Sequence, residues 1–485
     1  MIEFEQSLET VSNFCNRLDS GELLAITDPQ ALWDVRSNLQ AALSSLLVWR
    51  RPALESAKGI DWPYQCLKDV YPLLLAKAEQ EADDFSKKQA MLCLALLPFP
   101  QQWQWLLRIQ EMYPHEPELQ AFLAAERSAI REKMGHKPQR SYKLRHFLQV
   151  LKKPRSRREK GVLRIFSLPY LFALHRRLLD QLSERYVLYL EPPMGIVFRH
   201  AWWRCFAVLR DPAVFGVSAR EDVQFLQQQT GIVPIAIAHG DFMEDLPRQP
   251  ERPDRKDYDI VFNATYDDME RKRHGLMLRL LLDPLLRDAT ALFLGRGQEE
   301  NVAKFRRQVV ECELQERVVV MANVRRVDVP ELLSRCRVGV HLSLYENGCR
   351  SIYEFFRAAI PCVIPSSMGG VDLSIFNEWT GKVVTDAHLA EAIAAVLRNR
   401  QSFRPREWFV RFSGSANSSR RLNEILRGLF CQWGYDWSED IVQLGSSGAS
   451  RYVHGADYHK FRDDFAWLLG VFNSIHDDCL SFIPE

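Results

Sequence analysis

Apolar residues recur every three or four positions in the first part of the chain. One apolar helical face in this part consists of Leu32, Val35, Leu39, Leu43 and Leu46. Similar spacing over residues 63–82 and 117–134 predicts further helices, without a fixed repeat period. We therefore expect residues 1–135 to form an all-helical N-terminal domain.

The pattern changes to alternating strands and helices after residue 160. VLRIFSL, YVLYLE, AVFGVSA and VPIAIAH are short β-branched or aromatic runs, and helical patterns separate some of them. A proline-rich, charged linker at 245–259 interrupts the alternation, which then restarts. This rhythm predicts an α/β protein with two doubly wound Rossmann-type domains, at 161–250 and 258–427, followed by a C-terminal extension at 428–485. Ligands of such folds bind at the carboxyl ends of the strands.

The segment between these two parts, residues 136–160, is strongly basic. From residue 137 onward it holds ten Lys or Arg and one acid, and an apolar stripe of Leu144, Phe147, Leu148 and Leu151. Two interpretations stay open. The segment is an amphipathic helix on an anionic membrane surface, or a solvated linker helix whose stripe packs on the protein itself.

Composition narrows the class of protein. The 485 residues carry a net charge of +1, which gives no sign of a nucleic-acid partner. Ten cysteines without a C-x-x-C pair predict neither a metal site nor a disulfide framework, and they favour a reducing compartment. With no apolar run of membrane-spanning length and no signal-peptide pattern, we expect a cytoplasmic protein, optionally peripheral on the inner face of the membrane.

The stretch YENGCRSIYE places two glutamates, Glu346 and Glu354, around a turn between a predicted strand and a predicted helix. Ser351 and Glu354 fit a capping box, in which Glu354 only caps its own helix. In the alternative, the amides of residues 348–351 face a phosphate at the helix N-terminus, and Arg350 neutralises diphosphate charge. Glu354 then binds a ribose diol and Glu346 a sugar hydroxyl.

Three other strand ends of the same domain carry candidate ligand-binding groups. ERKRHG, at 270–275, holds a cluster of cations at a helix start, where they oppose the helix dipole. LGRGQ, at 294–298, and SSMGG, at 366–370, place glycines directly after strands, which suits a close approach of backbone to a nucleotide. The order of these four stretches along one domain predicts a shared site.

HLSLYENGCRSIYEFFRAAIPCVIPSSMGG, together with LFLGRG and ERVVVMANV, resembles the nucleotide-sugar domain of family-4-type retaining glycosyltransferases, which have the GT-B fold. The resemblance covers residues 258–427. AVFGVSAREDVQFLQQQTGIVPIAIAHGDF resembles the end of that family's acceptor-side domain, which makes 161–250 the acceptor side.

The resemblance implies roles for individual residues. Glu346, which would bind the donor sugar, and Lys272, which would bind phosphate, are the catalytic candidates. The donor-binding candidates are Glu354, Arg273, Gly295, Gly297, Asn347, Gly348, Cys349, Arg350 and Ser351. Asp267 stands where the family has an arginine, and Arg271 or Arg273 would have to replace it. No residue is assigned as the family's customary histidine, and His175, His200 and His239 are interpreted as structural.

The function implied is a metal-independent, retaining transfer of a sugar from a nucleotide-diphosphate sugar to a glycan or lipid-linked acceptor, in polysaccharide biosynthesis. The donor is a substrate, and no other cofactor is expected. The alternative is a non-catalytic scaffold or regulator that keeps the fold and binds a partner protein through residues 1–135. Nucleotide binding followed by donor hydrolysis discriminates the two.

Overall fold

The computed structural model describes residues 20–26, 70–96, 102–117, 147–166, 176–192, 209–227, 231–246, 256–446 except Tyr345 and Asn347, and 452–473. It also describes isolated positions between 6 and 39, with 119–121, 124 and 206. The predictions for Asn347, Leu144, His175 and His200 lie outside these residues, as does most of the 245–259 linker. Within the described part, no helix has the length and hydropathy needed to cross a membrane.

The described N-terminal region is helical, as expected. Helices α1, α2 and α3 comprise Val70–Gln80, Asp84–Leu96 and Gln102–Met112. Neighbouring helices pack through fully buried side chains such as Leu74, Leu92 and Ile109. The hydroxyl of Tyr113 donates to Asp84 Oδ1 at 2.6 Å and ties the end of α3 to the start of α2.

The first sheet has five strands in the order β1-β2-β3-β4-β5. They are β1 Leu148–Lys152, β2 Gly161–Phe166, β3 Tyr186–Glu191, β4 Ala213–Gly216 and β5 Ile232–Ile235. Strand β1 runs antiparallel to β2, and the other neighbours are parallel. Helices α4, Arg176–Arg185, and α5, Arg220–Gln227, connect parallel strands. Both faces of β1 and β3 are buried, and β3 accordingly reads as a nearly continuous apolar run.

The prediction of an amphipathic helix in the basic segment is wrong for residues 148–152. These residues form β1, in which Leu148 pairs with Ile165 and both Leu148 and Leu151 are fully buried. The three- and four-residue spacing of apolar positions is coincidental, because a strand buried on both faces needs no alternation. The first domain therefore begins no later than Leu148 rather than at 161, and neither leucine is available to a membrane surface.

The second sheet has six parallel strands in the order β11-β10-β9-β6-β7-β8. They are β6 Tyr258–Asn263, β7 Ala291–Gly295, β8 Val318–Ala322, β9 Cys336–Val340, β10 Cys362–Pro365 and β11 Gly381–Val384. The chain reverses its direction of progress across the sheet between β6 and β9. A crevice opens at the carboxyl ends of strands at such a reversal, and ligands of this fold class bind there.

Helices flank the second sheet on both faces. They are α6 Met269–Lys272, α7 His274–Leu281, α8 Glu299–Glu311, α9 Val329–Ser334, α10 Arg350–Arg357 and α11 Leu389–Arg398. One apolar cluster joins Phe262, Phe293 and Phe305 on one face, and another joins Val261, Leu292 and Phe355 on the other. The predicted α/β class, with two mainly parallel sheets after a helical region, is confirmed. Among the described strands, the first sheet shows no reversal of order.

The C-terminal part of the chain returns to the first domain. Helix α12 comprises Pro405–Phe412, and α13, Gly414–Gln432, packs Leu422 and Leu426 into the apolar cluster of the first sheet. Val442 N donates to Leu151 O at 2.8 Å, so the following segment adds to the β1 edge. Two short helices, α14 Asp457–Lys460 and α15 Arg462–Asn473, close the described chain. The described residues from 414 onward thus contribute to the first domain, which the boundary predicted at 427 and the separate extension did not anticipate.

The two domains approach each other closely at two glycines, Gly240 and Gly348. A Cβ atom on Gly240, which follows β5, would lie 2.5 Å from the carbonyl oxygen of Gly348 in the second domain. Gly348 has φ +55°, and a Cβ there would lie 3.0 Å from Gly240 N. Beside this contact, the hydroxyl of Tyr353 donates to Asp241 Oδ1 at 3.0 Å. The base of the cleft is therefore a direct backbone contact between the domains.

Candidate functional site

A cavity of about 540 Å³ lies at the carboxyl ends of β6 and β7, beside the start of α10. The predicted residues that border it are Lys272, Gly295, Glu346, Gly348, Cys349, Arg350, Ser351 and Glu354. Three of the four stretches singled out in the sequence thus meet at one place. The fourth stretch, SSMGG, does not border the cavity and instead contacts the backbone of Glu346.

Glu346 is held by the backbone of the glycine pair in SSMGG. Its amide donates to Gly369 O at 2.9 Å, and Gly369 N donates to Leu344 O at 3.0 Å. Gly370 has φ +75°, and a Cβ there would fall 1.6 Å from Glu346 O. Only glycine allows this approach. SSMGG therefore fixes the loop that carries Glu346.

The Glu346 carboxylate is surrounded by basic side chains. Oε1 accepts from Lys272 Nζ in a close ion pair, lies 3.1 Å from Arg271 Nη1 and 3.4 Å from His341 Nε2. Burial alone would raise the pKa of Glu346, but Lys272, His341 and Arg271 outweigh it and hold the pKa well below its usual value. The carboxylate is thus anionic at any pH near neutrality.

His341 links Glu346 to Cys349. The Cys349 sulfur lies 3.3 Å from His341 Nε2. Burial lowers the pKa of His341, but the adjacent Cys349 and Glu346 outweigh it and raise the pKa to about 9. His341 was not singled out in the sequence, because a histidine in the apolar run VGVHLSL reads as core.

Glu354 does not cap its own helix. Helix α10 has Cys349 as its N-cap, without a side-chain capping bond, so the capping-box alternative is wrong. Glu354 Oε2 instead accepts from Asn263 Nδ2 at 2.9 Å, across from the end of β6. Arg350 Nη2 lies 4.0 Å from Glu354 Oε1. The carboxylate therefore borders the cavity, where it is placed to accept hydrogen bonds from a ligand.

The two glycines of LGRGQ have different surroundings. Gly295 borders the cavity, and a Cβ on it would lie 1.9 Å from Ala264 O, so glycine is needed for β7 to approach β6. Gly297 does not border the cavity; its amide donates to Asn323 Oδ1 at 3.1 Å. The turn that holds Gly297 is anchored by Asp267, whose Oδ1 accepts from Gln298 N at 2.7 Å.

Asp267 stands where the resemblance implies an arginine, and its carboxylate makes structural hydrogen bonds. Besides Gln298 N, its Oδ1 accepts from Asn301 Nδ2 at 2.9 Å, so the carboxylate sits at the start of α8. These hydrogen bonds lower the pKa of Asp267. An anion at a helix N-terminus is favoured by the helix dipole.

Arg273 does not reach the cavity. Its guanidinium pairs with Asp386, and the residue borders a separate surface groove beside α7 and α8. Of the two arginines that could replace the family's arginine, it is Arg271 that lies beside Glu346. Arg273 has a left-handed backbone, with φ 60°, which turns the chain between α6 and α7. The side chains of Arg271 and Arg273 therefore reach different parts of the domain.

Among the cavity residues that were not predicted there, three carry basic side chains: His239, Arg296 and Arg326. His239 Nδ1 lies 3.3 Å from Glu191 Oε2 and 3.5 Å from Arg164 Nη2, and both of those side chains are fully buried. Burial lowers the pKa of His239 despite the nearby carboxylate. The sequence did carry a signal for this group, since Arg164 interrupts the apolar run VLRIFSL and Glu191 ends the run YVLYLE.

Basic side chains outnumber acidic ones around the cavity. Lys272, Arg296, Arg326 and Arg350 face two carboxylates, and the N-terminus of α10 opens onto the same space. Burial and the neighbouring Arg326 lower the pKa of Arg350. Within the described part of the chain, the buried Arg350 Nε has no hydrogen-bond partner. The site suits an anionic ligand that also carries hydroxyl groups.

Residues 248–407 match the family model described as "Glycosyl transferases group 1". Together with the two sheets and the cleft, this match confirms the expected resemblance to glycosyltransferases and the GT-B-like fold class. The match covers one third of the chain. The family-4 subtype stays a prediction. A comparison with curated proteins finds no match.

Several solved structures are similar to this chain. TarM from S. aureus, a mutant form in complex with fondaparinux, α-GlcNAc-glycerol and UDP, is 16% identical, with a TM-score of 0.40 over 51% of this chain and 51% of TarM. HepE from Anabaena in complex with UDP is 16% identical, with a TM-score of 0.44 over 55% of this chain and 78% of HepE. Sucrose-phosphate synthase from Thermosynechococcus elongatus is 17% identical, with a TM-score of 0.43 over 56% and 73%. The similarity thus spans about half the length of TarM.

Proposed function

We propose that this protein is a glycosyltransferase that moves a sugar from a nucleotide-diphosphate sugar to a glycan or lipid-linked acceptor. The observation that carries the proposal is the placement of Glu346 with Lys272, and of Glu354 with Asn263, around one cavity at the reversal of strand order. The family match over the second domain supports the same activity.

The cavity offers one partner for each part of such a donor. Glu354 accepts hydrogen bonds from the ribose diol, and the amides at the start of α10 bind the diphosphate with the help of Arg350. Glu346 accepts from a hydroxyl of the donor sugar. Lys272 stabilises the charge that develops on the leaving diphosphate.

We further propose a metal-independent reaction with retention at the anomeric carbon. The cations that border the cavity supply the positive charge that a metal ion would otherwise give to the diphosphate. In a front-face mechanism, the departing phosphate oxygen takes the acceptor proton while the acceptor oxygen bonds to the anomeric carbon. The protein then works by orientation and charge stabilisation. An NMR assignment of the product anomer tests retention.

The nature of the acceptor, a role in polysaccharide biosynthesis, a cytoplasmic location and a protein partner for residues 1–135 stay predictions. A contact with an anionic membrane through the apolar stripe is not part of the proposal, because Leu148 and Leu151 are buried in the first sheet.

Thermal-shift measurements with UDP, GDP and ADP, followed by donor hydrolysis, test the proposed activity. We expect at least one nucleotide to raise Tm in the wild type. Glu354→Gln should weaken the binding of that nucleotide about tenfold, because an uncharged amide is a poorer hydrogen-bond acceptor for the ribose diol. Ser351→Ala should leave Tm unchanged, since Cys349 rather than Ser351 is the N-cap residue of α10.

Glu407→Gln is the matched control, because Glu407 is an exposed glutamate on α12. Absence of stabilisation by any nucleotide refutes the enzyme. Nucleotide binding without donor hydrolysis or transfer to any acceptor favours the scaffold alternative instead.

A further inference from the structure

Three potential metal ligands of different chemistry lie together beside the cavity. His341 Nε2 is 3.3 Å from Cys349 Sγ and 3.4 Å from Glu346 Oε1, and all three ligand atoms lie within 4.8 Å of one another. Neighbouring ligand atoms of a tetrahedral Zn²⁺ site are about 3.3–3.8 Å apart, given the usual Zn–N, Zn–O and Zn–S bond lengths. The two measured separations therefore already match the edges of a zinc tetrahedron.

We propose that His341, Glu346 and Cys349 form a binding site for a thiophilic divalent cation, Zn²⁺ above all, and that the bound cation excludes the donor. The second half of this proposal rests on the proposed function; the first half does not. The cation is an inhibitor in this account and takes no part in sugar transfer.

The ligand set selects the class of cation. A thiolate, an imidazole and a carboxylate favour Zn²⁺ over Mg²⁺ or Ca²⁺, which prefer sites built from oxygen alone. All three residues are buried, yet Glu346 and Cys349 border the cavity. A fourth coordination position can therefore be taken by water from the cavity. Cys349 binds as the thiolate and His341 as the neutral imidazole through Nε2, so binding releases the thiol proton and the imidazolium proton to solvent.

Binding of the cation competes with Lys272. In the described part of the chain, Lys272, Arg271 and His341 all contact the same oxygen of the Glu346 carboxylate, Oε1. A divalent cation bonded to this oxygen repels the adjacent Lys272 ammonium and draws negative charge from the oxygen, so it weakens the Lys272–Glu346 ion pair. The metal-bound form thus disrupts the pair that the proposed function assigns to the donor sugar and the leaving phosphate.

Co²⁺ titration of the reduced full-length chain, with Zn²⁺ displacement, tests the site. We expect one Co²⁺ per chain with a thiolate-to-cobalt absorption band, and loss of the band on addition of Zn²⁺. Cys349→Ser should abolish the band, and His341→Gln should weaken Co²⁺ binding at least about tenfold. Cys431→Ser, which removes an exposed thiol elsewhere, is the control and should leave the titration unchanged.

Lys272→Met removes the competing ammonium and should tighten Co²⁺ binding about tenfold, an effect that a nonspecific thiol complex would not show. Absence of the band in the wild type, or its persistence in a folded Cys349→Ser variant, overturns the site. Circular dichroism of each variant confirms that it is folded before the titration is read.

The exclusion of the donor is measured with the nucleotide that stabilises the wild type best. Stoichiometric Zn²⁺ should weaken its binding at least about tenfold in the wild type and not in Cys349→Ser, which also controls for Zn²⁺ bound by the free nucleotide. Equal weakening in both chains overturns the exclusion. If no nucleotide binds even without metal, the proposed function fails, while the cobalt titration still decides the metal site.

Discussion

Each domain contains a buried cluster of charges centred on one glutamate, and the two glutamates differ in their access to the cavity. In the second-domain cluster, Glu346 is surrounded by Lys272, Arg271 and His341. In the first-domain cluster, Glu191 lies against Arg164 and His239. The side chain of Glu346 is 12% exposed and borders the cavity, whereas those of Glu191 and Arg164 are 0% exposed.

The difference in exposure predicts different roles for similar residues. In the described structure, Glu191 Oε1 and Arg164 Nε have no hydrogen-bond partner and no access to solvent. The two charges therefore depend on protein partners rather than on water, so this pair contributes mainly to the integrity of the fold. Around Glu346, water in the cavity can replace a lost partner, and a ligand can replace that water. The second-domain cluster is therefore the one available for ligand binding.

The largest expected effect on stability comes from the first-domain cluster around Glu191. Glu191→Gln should lower the free energy of unfolding by about 3–5 kcal/mol, because it leaves the Arg164 guanidinium buried without a counter-charge. Urea unfolding followed by circular dichroism measures this loss. The double variant Glu191→Gln/Arg164→Met should recover much of it. A loss below about 1 kcal/mol for the single variant would show that water reaches this cluster, and the contrast would fail.

An intermediate effect concerns Asp241, which lies at the contact between the domains. Burial raises its pKa to about 6, although Ala238 N and the Tyr353 hydroxyl donate to its carboxylate. Between about pH 4 and pH 6 the unfolded chain is ionised here while the folded chain keeps its proton. This group therefore makes stability fall as pH rises through that window, by at most about 3 kcal/mol, and the loss then stays constant.

The pH dependence is measured as the difference between wild type and Asp241→Asn, because other acids titrate nearby. Urea unfolding of both chains at several pH values from 4 to 7 gives the difference. The wild type should lose stability relative to the variant as pH rises. A flat difference would show that burial does not raise the pKa of Asp241 in the folded protein.

The smallest expected effect on stability comes from the second-domain cluster around Glu346. Glu346→Gln should cost only about 1–2 kcal/mol of unfolding free energy, because cavity water can solvate the Lys272 ammonium that loses its partner. The same variant should strongly lower the rate of donor hydrolysis while lowering Tm only slightly. A stability loss as large as that of Glu191→Gln would show that both clusters are structural.

The second domain was predictable because its strand ends carry the unusual residues. YENGCRSIYE, ERKRHG and LGRGQ each follow an apolar run, and the parallel sheet brings their ends together at one edge. The stretch SSMGG was found for the wrong reason, since its glycines hold Glu346 from behind instead of facing a nucleotide. The position of Arg273 could not be foreseen, because it depends on one left-handed residue between two helices.

The first domain was harder to predict because its strands are buried on both faces. Leu148–Lys152 has no alternation, so its apolar residues fitted a helix equally well. The charged residues Arg164 and Glu191 lie inside the protein, where sequence patterns place apolar ones, and they find each other only through the pairing of β2 with β3. The return of α13 to the first sheet depends on a path in three dimensions that local periodicity does not contain.

The contact between Gly240 and Gly348 has a consequence for how this molecule could be altered. The width of the cleft is limited here by hydrogen atoms, so a single methyl group on Gly240 would act as a wedge between the domains. Such a wedge would push against Gly348 and the ring of Tyr353, and it would tilt one wall of the binding site against the other. The size of molecule admitted between the domains is thus set, in part, by two residues that have no side chain at all.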